Sequence, residues 1–359
     1  MSLLKTSLHQ YHLELGAKMA AFAGFDMPLQ YSSVKEESLA VRSSLGVFDV
    51  SHMGEFFVTG PDAISFVDYI ITNDFAGAGM EKAVYSPLCR ENGTVIDDLI
   101  AYKLSNEKVL ICVNASNIEK DWNWISSKTE GFNIQLENKS NDYSLLAVQG
   151  PKSEEVLKAI EVISDSDELV YYSAKELTKM GEKIIVARTG YTGEDGFEVF
   201  TSHKMASTLW SKLLENGATP CGLASRDVLR LEVCYPLYGH ELNDELTPLD
   251  ASLKWTVKTA KEKFIGKEAL DGATSSKRLV KLSLEKGIPR EGYNILNMND
   301  EVIGVITSGT MSVELSKGIS LGLVDRDKFP ADKKFKINIR KNNIEATYHT
   351  KAFVTGGHK

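Results

Sequence analysis

Two adjacent carboxylates within an apolar segment are the side chains of this sequence best suited to chemistry. Asp97 and Asp98 interrupt residues 94–102, which otherwise carry mostly valine, isoleucine, leucine and alanine. This pattern predicts a strand covered on both faces, where an ionised carboxylate is costly unless it is paired or hydrogen-bonded. At least one of the two aspartates should therefore have a partner or a function. The alternative is a structural pair that the backbone or a nearby arginine satisfies.

Alternation along the predicted strand decides which side chains share a face. Successive residues of a strand point to opposite sides. Asp98 is therefore predicted on one face with Ile96, Ile100 and Tyr102, and Asp97 on the other face. It follows that the two carboxylates should not share one site.

A second group of chemically capable residues occupies the segment 188–198, Arg-Thr-Gly-Tyr-Thr-Gly-Glu-Asp-Gly-Phe-Glu, between two strand patterns. Glycines at every third position from Gly190 allow a positive φ or a close approach to the backbone. Their spacing is not that of a dinucleotide-binding fingerprint, and the acids do not have the ligand ladder of a calcium loop. The segment predicts either one wall of a binding site or a long hairpin loop with solvated acids.

Arg226 is predicted in the first turn of a helix over 222–232 that Ser225 caps. A guanidinium group binds a carboxylate through two parallel hydrogen bonds, which makes Arg226 a candidate for a ligand carboxylate. The alternative is a surface ion pair with Asp227, and such pairs contribute little to stability.

Composition and missing motifs exclude several classes of function. A net charge of −8 argues against nonspecific nucleic-acid binding, and no apolar run is long enough to span a membrane. Four scattered cysteines predict neither a disulfide framework nor a zinc site, and no metal is expected. The phosphate-binding loop and the nucleophile elbow are absent. Together with a polar start unlike a signal peptide, these features predict a cytoplasmic protein.

The remaining pattern predicts the elements that position these residues. Helices are predicted over 33–45, 118–126 and 204–216, and a three-strand meander over 83–114 turns at Asn92-Gly93. Short strands with glycine turns after residue 278 predict a small β-barrel or sandwich. Residues 56–61 and 145–151 each read as a strand that ends in Gly-Pro before a helix, which suggests two related α+β layers.

Sequence blocks spread over nearly the whole chain occur in the order of one known family. They are Phe-Asp-Val-Ser-His-Met-Gly at 48–54, Asn-Gly-Thr-Val-Ile-Asp-Asp-Leu at 92–99, Asn-Ala-Ser-Asn-Ile-Glu-Lys-Asp at 114–121, Gln-Gly-Pro at 149–151, residues 188–198, Ala-Ser-Arg-Asp at 224–227, Arg-Leu-Glu at 230–232 and Thr-Ser-Gly at 307–309. In these blocks the chain resembles the aminomethyltransferase (T-protein) family of the glycine cleavage system. Any one block is a weak signal, whereas the ordered set is a strong one.

The resemblance implies an α+β fold, a multidomain cloverleaf around a central channel that holds tetrahydrofolate. It implies two mixed α/β domains with antiparallel sheets and a small C-terminal β-barrel or jelly-roll-like domain. Residues 1–54 with 140–250 would form the first, discontinuous folate-binding domain. Residues 55–139 would form the second domain, which carries the catalytic aspartate, and residues 275–359 the barrel.

The resemblance also implies a reaction and its partners. The family transfers the methylene of an aminomethyl group on the lipoyl arm of H-protein to the co-substrate tetrahydrofolate and releases ammonia. Asp98 matches the catalytic aspartate, which would hold folate N10 and raise its nucleophilicity. Arg226 falls at the arginine that meets the glutamyl tail. The rest of the folate pocket maps onto Tyr85, Tyr102, Asn114, Tyr191 and Glu198. Lipoylated H-protein is the expected partner, with no nucleic acid or membrane, and the chain is expected as a monomer or weak dimer.

The chain departs from the family near its C-terminus. Family members often carry an arginine after a Lys-x-Phe, where this chain has Thr355. Lys351, His358 or Lys359 are the residues that could substitute for it.

Three other interpretations stay open from the sequence. One is a tetrahydrofolate-dependent demethylase of a small methylated sulfonium or amine on the same scaffold, because the same acid, amide and arginine would serve it. A folate-binding relative in iron–sulfur assembly would carry Lys-Gly-Cys-Tyr-x-Gly-Gln, which is absent. A domain of a sarcosine- or dimethylglycine-oxidising enzyme would follow a flavin fingerprint, which is also absent.

Overall fold

The structure, a computed structural model, describes residues 2–357. Within this range the α-helices are α1 (His9–Glu14), α2 (Val34–Ser43), α3 (Ala63–Ile70), α4 (Ile118–Ser126), α5 (Ser153–Ala159), α6 (His203–Glu215), α7 (Leu223–Glu232) and α8 (Lys267–Leu270). Short 3₁₀ turns occupy Ala115–Asn117, Asp165–Asp167, Lys254–Thr256 and Arg326–Lys328. None of the helices in the described range is long and apolar enough to cross a membrane.

The strands of the same range form four sheets. They are β1 (Lys18–Phe22), β2 (Phe25–Gln30), β3 (Gly46–Asp49), β4 (Gly54–Thr59), β5 (Ala83–Cys89), β6 (Val95–Ser105), β7 (Lys108–Val113), β8 (Gln135–Asn138), β9 (Ser144–Gln149), β10 (Ala174–Lys179), β11 (Glu182–Ala187), β12 (Gly196–Thr201), β13 (Thr219–Pro220), β14 (Lys277–Leu284), β15 (Asn294–Leu296), β16 (Val302–Met311), β17 (Gly318–Asp325), β18 (Phe335–Ile339) and β19 (Asn342–His349).

The sheet order confirms a multidomain α+β fold. A six-stranded sheet has the order β10-β11-β12-β9-β3-β13, in which only β13 pairs in parallel, with β3. A five-stranded antiparallel sheet has the order β5-β6-β7-β4-β8, and β1 and β2 form a separate hairpin. The strands β14-β17-β16-β15-β18-β19 close into an antiparallel barrel, as the C-terminal pattern predicts.

The two larger sheets pack face to face over a shared apolar layer. Phe48 and Leu145 of the six-stranded sheet meet Phe57, Tyr102 and Leu110 of the five-stranded sheet in one buried cluster. The opposite faces are covered by helices, α3 on the five-stranded sheet and α6 on the six-stranded sheet. This double cover explains why the central strands are apolar along their whole length. A polar group on the inner faces therefore lies between the two sheets.

Two strand–Gly-Pro–helix units occupy corresponding places in the two sheets. β4 passes through Gly60-Pro61 into α3, and β9 passes through Gly150-Pro151 into α5. The two glycines have nearly the same φ, +120° and +125°. The sequence prediction of two related α+β layers agrees with this geometry.

The predicted helices are present, with one error at a cap. Ser33 caps α2, because its hydroxyl accepts the N–H of Glu36 at 3.2 Å. The prediction that Ser225 caps α7 is wrong. Gly222 occupies the cap position, and the Ser225 hydroxyl donates to Glu37 Oε2 at 3.0 Å. Because α7 begins at Leu223, Ser225 lies within its first turn instead of before it.

Candidate active site between the two sheets

The strand β6 carries the adjacent carboxylates, and a bulge precedes them. Pairing with β5 shifts register between Leu88 and Cys89, so Ile96 stands outside the regular alternation. Ile96 packs with Leu99 on the helix-covered face, whereas Tyr102 packs between the sheets. The prediction that Ile96 shares a face with Tyr102 is therefore wrong, because the extra residue of a bulge resets the alternation.

Asp98 is half-buried and held by two donors. The Tyr85 hydroxyl donates to Oδ2 at 2.9 Å, and the Asn114 amide Nδ2 donates to Oδ1 at 3.0 Å. Burial and the neighbouring charge of Asp97 raise the pKa of Asp98 to about 7. A carboxylate with this pKa can accept and return a proton near neutral pH.

Asp97 is fully buried and accepts three N–H groups. The donors are the Asn114 backbone at 3.1 Å, the Asn114 amide at 2.8 Å and the Asn117 amide at 2.7 Å. The Asn114 amide nitrogen thus contacts both carboxylates. Asn114, which follows the end of β7, therefore links the two acids that strand alternation predicts on opposite faces.

Glu198 of β12 faces the five-stranded sheet. Its Oε2 accepts the Tyr102 hydroxyl at 3.1 Å and the Thr189 hydroxyl. Its Oε1 has no hydrogen-bond donor among residues 2–357. Tyr102 is almost completely buried, so its hydroxyl orients Glu198.

Arg226 lies in the first turn of α7, as predicted. Its guanidinium carbon is 4.9 Å from the centre of the Tyr191 ring. Its Nη1 is buried and finds no hydrogen-bond partner in the described part of the chain. Asp227 pairs instead with Arg230, whose Nε donates to it at 2.8 Å. The surface ion pair considered for Arg226 is therefore wrong.

The segment 188–198 is a hairpin connection whose acids are paired. Arg188 donates to both oxygens of Asp195, at 2.9 and 2.6 Å, and Asp195 is 1% exposed. Glu194 accepts Arg42 Nη1 at 3.0 Å. The Tyr191 hydroxyl donates to the backbone carbonyl of Pro236. The alternative of a loop with solvated acids is wrong for these side chains.

The C-terminal segment, residues 354–357, is hydrogen-bonded to the end of α7 and to the same hairpin. The N–H of Val354 donates to the carbonyl of Glu232, and that of Gly357 to the carbonyl of Gly193, both at 2.9 Å. Thr355 lies between these two anchors and is exposed, and Lys351 is exposed as well. His358 and Lys359 lie outside the described residues.

Three further side chains near the site escaped the sequence analysis. Asp121 is buried against Asp97. His52 is buried with an unpartnered Nδ1, and burial lowers its pKa to about 4. The exposed Trp255 stacks on Tyr85 with 6.0 Å between ring centres. Sequence reasoning could have found Asp121 and His52, because they lie within the sequence blocks 114–121 and 48–54.

Comparisons with known proteins agree with this architecture over its whole length. The family model described as the GCVT N-terminal domain matches residues 8–261, and the glycine cleavage T-protein C-terminal barrel domain matches residues 277–354. An aminomethyltransferase of Thermosipho melanesiensis is 44% identical over 359 residues, which cover 99% of this chain and 98% of the relative. One from Thermotoga maritima is 48% identical over 330 residues, 90% of each chain.

A solved structure shows the same fold. The crystal structure of the glycine cleavage system aminomethyltransferase T from Bartonella henselae superposes with a TM-score of 0.94 at 31% identity, and 99% of each chain is covered. The chain therefore belongs to the glycine cleavage T-protein family. It is an enzyme with the activity of an aminomethyltransferase of the glycine cleavage system.

Proposed function

We propose that the enzyme transfers the methylene of an aminomethyl group, carried on the lipoyl arm of H-protein, to tetrahydrofolate and releases ammonia. The observation that carries this proposal is the buried Nη1 of Arg226, which has no hydrogen-bond partner within residues 2–357. The Arg226 guanidinium lies over the Tyr191 ring, and burial and the charge of Asp98 raise the pKa of the Tyr191 phenol. An anion-binding group and a carboxylate able to hold a proton thus flank one aromatic ring.

In this proposal Asp98 is the catalytic residue. It holds folate N10 and accepts a proton as that nitrogen bonds to the aminomethyl carbon. Its raised pKa of about 7 suits proton transfer, because a general base works best near the pH of the reaction. Tyr85 and Asn114 support the role, since they fix both oxygens of the carboxylate.

The folate pocket extends from Asp98 towards the six-stranded sheet. Arg226 binds a carboxylate of the glutamyl tail, which would satisfy its buried Nη1. Glu198 accepts pterin N–H groups, for which its Oε1 is free of donors from residues 2–357. Tyr85 and Tyr191 line the flat rings. Tyr102 serves the pocket through its bond to Glu198.

We further propose the organisation that accompanies this chemistry. Residues 1–54 with 140–250, residues 55–139 and residues 275–359 are the proposed domains. The strand membership of the three sheets supports this division, because β3 and β9–β13 share one sheet and β4–β8 share another. Lipoylated H-protein is the proposed partner, and a cytoplasmic monomer or weak dimer is the proposed state.

Ammonia release from aminomethylated H-protein, with and without tetrahydrofolate, tests the function. We expect release that depends on H-protein and is strongly stimulated by tetrahydrofolate, with the Asp98→Asn variant as the matched control. Release that folate does not stimulate would contradict the proposal and favour the demethylase alternative.

A further inference from the structure

Asp121 is a buried carboxyl group beside the site that the proposed reaction leaves without a role. It lies in the first turn of α4, behind β6, and its side chain is completely buried. Neither of its oxygens accepts an N–H or O–H group from residues 2–357. The peptide N–H groups of the helix start, which favour a negative charge nearby, are not bonded to it. An ionised carboxylate in this position would be unsolvated.

The side chain that Asp121 contacts is itself a carboxylate. Asp121 and Asp97 are within hydrogen-bonding distance of each other. Two carboxylates cannot hydrogen-bond unless one of them carries a proton. Asp97 accepts three N–H groups from Asn114 and Asn117, which favour its ionised form, whereas Asp121 accepts none. The proton therefore belongs to Asp121.

We propose that Asp121 is a positioning residue, whose protonated carboxyl donates to Asp97 and so keeps Asp97 ionised and oriented behind Asp98. Burial and the charge of Asp97 raise the pKa of Asp121 to about 11, in agreement with this geometry. The inference rests on the proposed role of Asp98. In this role Asp121 acts on Asp98 through Asp97 and touches no substrate.

The ionised Asp97 has two effects on Asp98. It fixes the Asn114 amide, which donates to Asp98 Oδ1 at 3.0 Å. Its negative charge also opposes ionisation of Asp98, which makes Asp98 a stronger base. Without the proton from Asp121, Asp97 would lose a donor and take up a proton itself. Asp98 would then ionise at lower pH and bind a proton less strongly.

Other titratable groups around these carboxylates do not take over this role. Those that face them are Tyr85 of β5, Cys112 of β7, Lys120 of α4, Tyr191 of the hairpin and Tyr238. Burial raises the pKa of the phenols and the thiol, so these stay neutral. Lys120 is the cation among them, and its Nζ donates to the Tyr238 hydroxyl at 2.7 Å.

Infrared spectroscopy tests directly whether Asp121 carries a proton, and it needs no catalytic turnover. At about pH 9 Asp98 is ionised, while Asp121 keeps its proton, because their pKa values are about 7 and about 11. We expect a carbonyl band of a hydrogen-bonded carboxylic acid that the Asp121→Asn variant loses. The matched control is Glu55→Gln. Burial also raises the pKa of Glu55, which has no partner within residues 2–357 and should give a separate band.

The pH dependence of kcat/KM tests the effect on Asp98. An asparagine at position 121 still donates to Asp97, so Asp121→Asn should keep the acidic limb of the parent enzyme. Asp121→Leu removes the donor, and the limb should move to lower pH by about one unit while kcat falls about tenfold. The Glu55→Gln control should leave both quantities unchanged.

Two results would overturn the proposal. One is an infrared spectrum that Asp121→Asn does not change, and the other is an acidic limb that Asp121→Asn moves as far as Asp121→Leu does. Should Asp121→Leu not fold, the two measurements on Asp121→Asn decide alone. Failure of the Asp98 assignment is distinguishable, because normal turnover by Asp98→Asn would contradict the proposed reaction while the infrared band of Asp121 remained.

Discussion

At the residue scale, the site consists of a continuous series of polar contacts across β6. The series runs from the Tyr85 hydroxyl through Asp98 and Asn114 to Asp97 and Asp121. Each buried charge in it is balanced by an N–H or O–H donor or by a proton, as the cost of burying unpaired charge requires. A change at one member therefore alters the protonation of the next.

Replacing Asp98 with asparagine should remove most turnover while tetrahydrofolate still binds. Asparagine can hold a folate nitrogen but cannot accept its proton. Steady-state turnover and equilibrium titration of folate, measured on the same preparation, check the two parts. Near-normal kcat in the variant would exclude Asp98 as the catalytic residue.

The pH profile of the parent enzyme provides the control for this variant. The pKa of Asp98 is raised to about 7, so the ionised, active form is lost as the pH falls through that value. We expect kcat/KM to decline below about pH 7 in the parent enzyme, and the residual activity of Asp98→Asn to lack this limb.

Replacing Arg226 with alanine should weaken tetrahydrofolate binding by about 1–3 kcal/mol and affect the chemical step less. The reason is that the buried Nη1 of the guanidinium has no partner in the described part of the chain, so that it can bind a ligand carboxylate. The measurement is the dissociation constant by titration calorimetry. Arg226→Lys is the control, because it keeps the charge and loses the planar fork. An unchanged constant in the alanine variant would refute the assignment.

At the scale of elements, the turns that connect a strand to a helix depend on glycine. Gly150 and Gly60 each connect a strand to a helix with φ near +120°. A Cβ on Gly150 would lie 2.5 Å from the carbonyl oxygen of Ser44 and 2.7 Å from that of Val41. Both the backbone conformation and the space thus require glycine.

Gly150→Ala should lower the free energy of unfolding by about 3 kcal/mol, because backbone strain adds to the overlap with two carbonyl groups. Denaturant unfolding followed by circular dichroism gives this quantity. Gly181→Ala is the matched control: it has φ +81° with nothing within 4 Å of an added Cβ. Its cost should be about 1 kcal/mol. Equal losses in the two variants would show that the close approach at Gly150 is unimportant.

At the scale of the whole molecule, α7 joins the barrel to the six-stranded sheet domain. The Glu232 Oε1 atom accepts the Ser312 hydroxyl at 2.7 Å and the backbone N–H groups of Val313 and Glu314 from the barrel side. Its Oε2 atom accepts Arg42 Nη2 of α2 at 2.7 Å. One fully buried carboxylate thus connects three parts of the chain.

Glu232→Ala should lower the free energy of unfolding by about 3–5 kcal/mol, because the buried Arg42 loses one of its two carboxylate partners. Thermal and denaturant unfolding measure the change. The control is Glu285→Ala, which removes an exposed ion pair with Lys317 and should change stability by less than about 1 kcal/mol. A small effect at Glu232 would mean that the barrel docks mainly through the apolar contacts of Leu231 with Ile319 and Leu321.

Prediction from the sequence succeeded where neighbouring residues decide the outcome. Helices over 33–45 and 118–126, the meander and the C-terminal barrel follow from periodicity and turn residues, and they agree with the structure within a few residues. The family follows from the ordered sequence blocks and is confirmed by the comparisons. The domain boundaries and the roles of the site residues stay predictions.

Contacts between distant segments decided the rest. The bulge before Asp97 comes from pairing with β5, and the Ser225 hydroxyl bonds to an acid 188 residues away. Strand alternation by itself predicts Asp97 and Asp98 on opposite faces, but Asn114, which follows the end of β7, contacts both through one amide.

The sequence alone thus predicted the main helices, the meander, the barrel and the family, because these depend on local propensity and on the order of the sequence blocks. Tertiary structure decided the raised pKa of Asp98, the burial of Asp121 and the lack of a hydrogen-bond partner for Arg226 Nη1 within residues 2–357. The physical reason is that burial and the charges of residues distant in sequence set the cost of ionisation, and these exist only once the two sheets have packed.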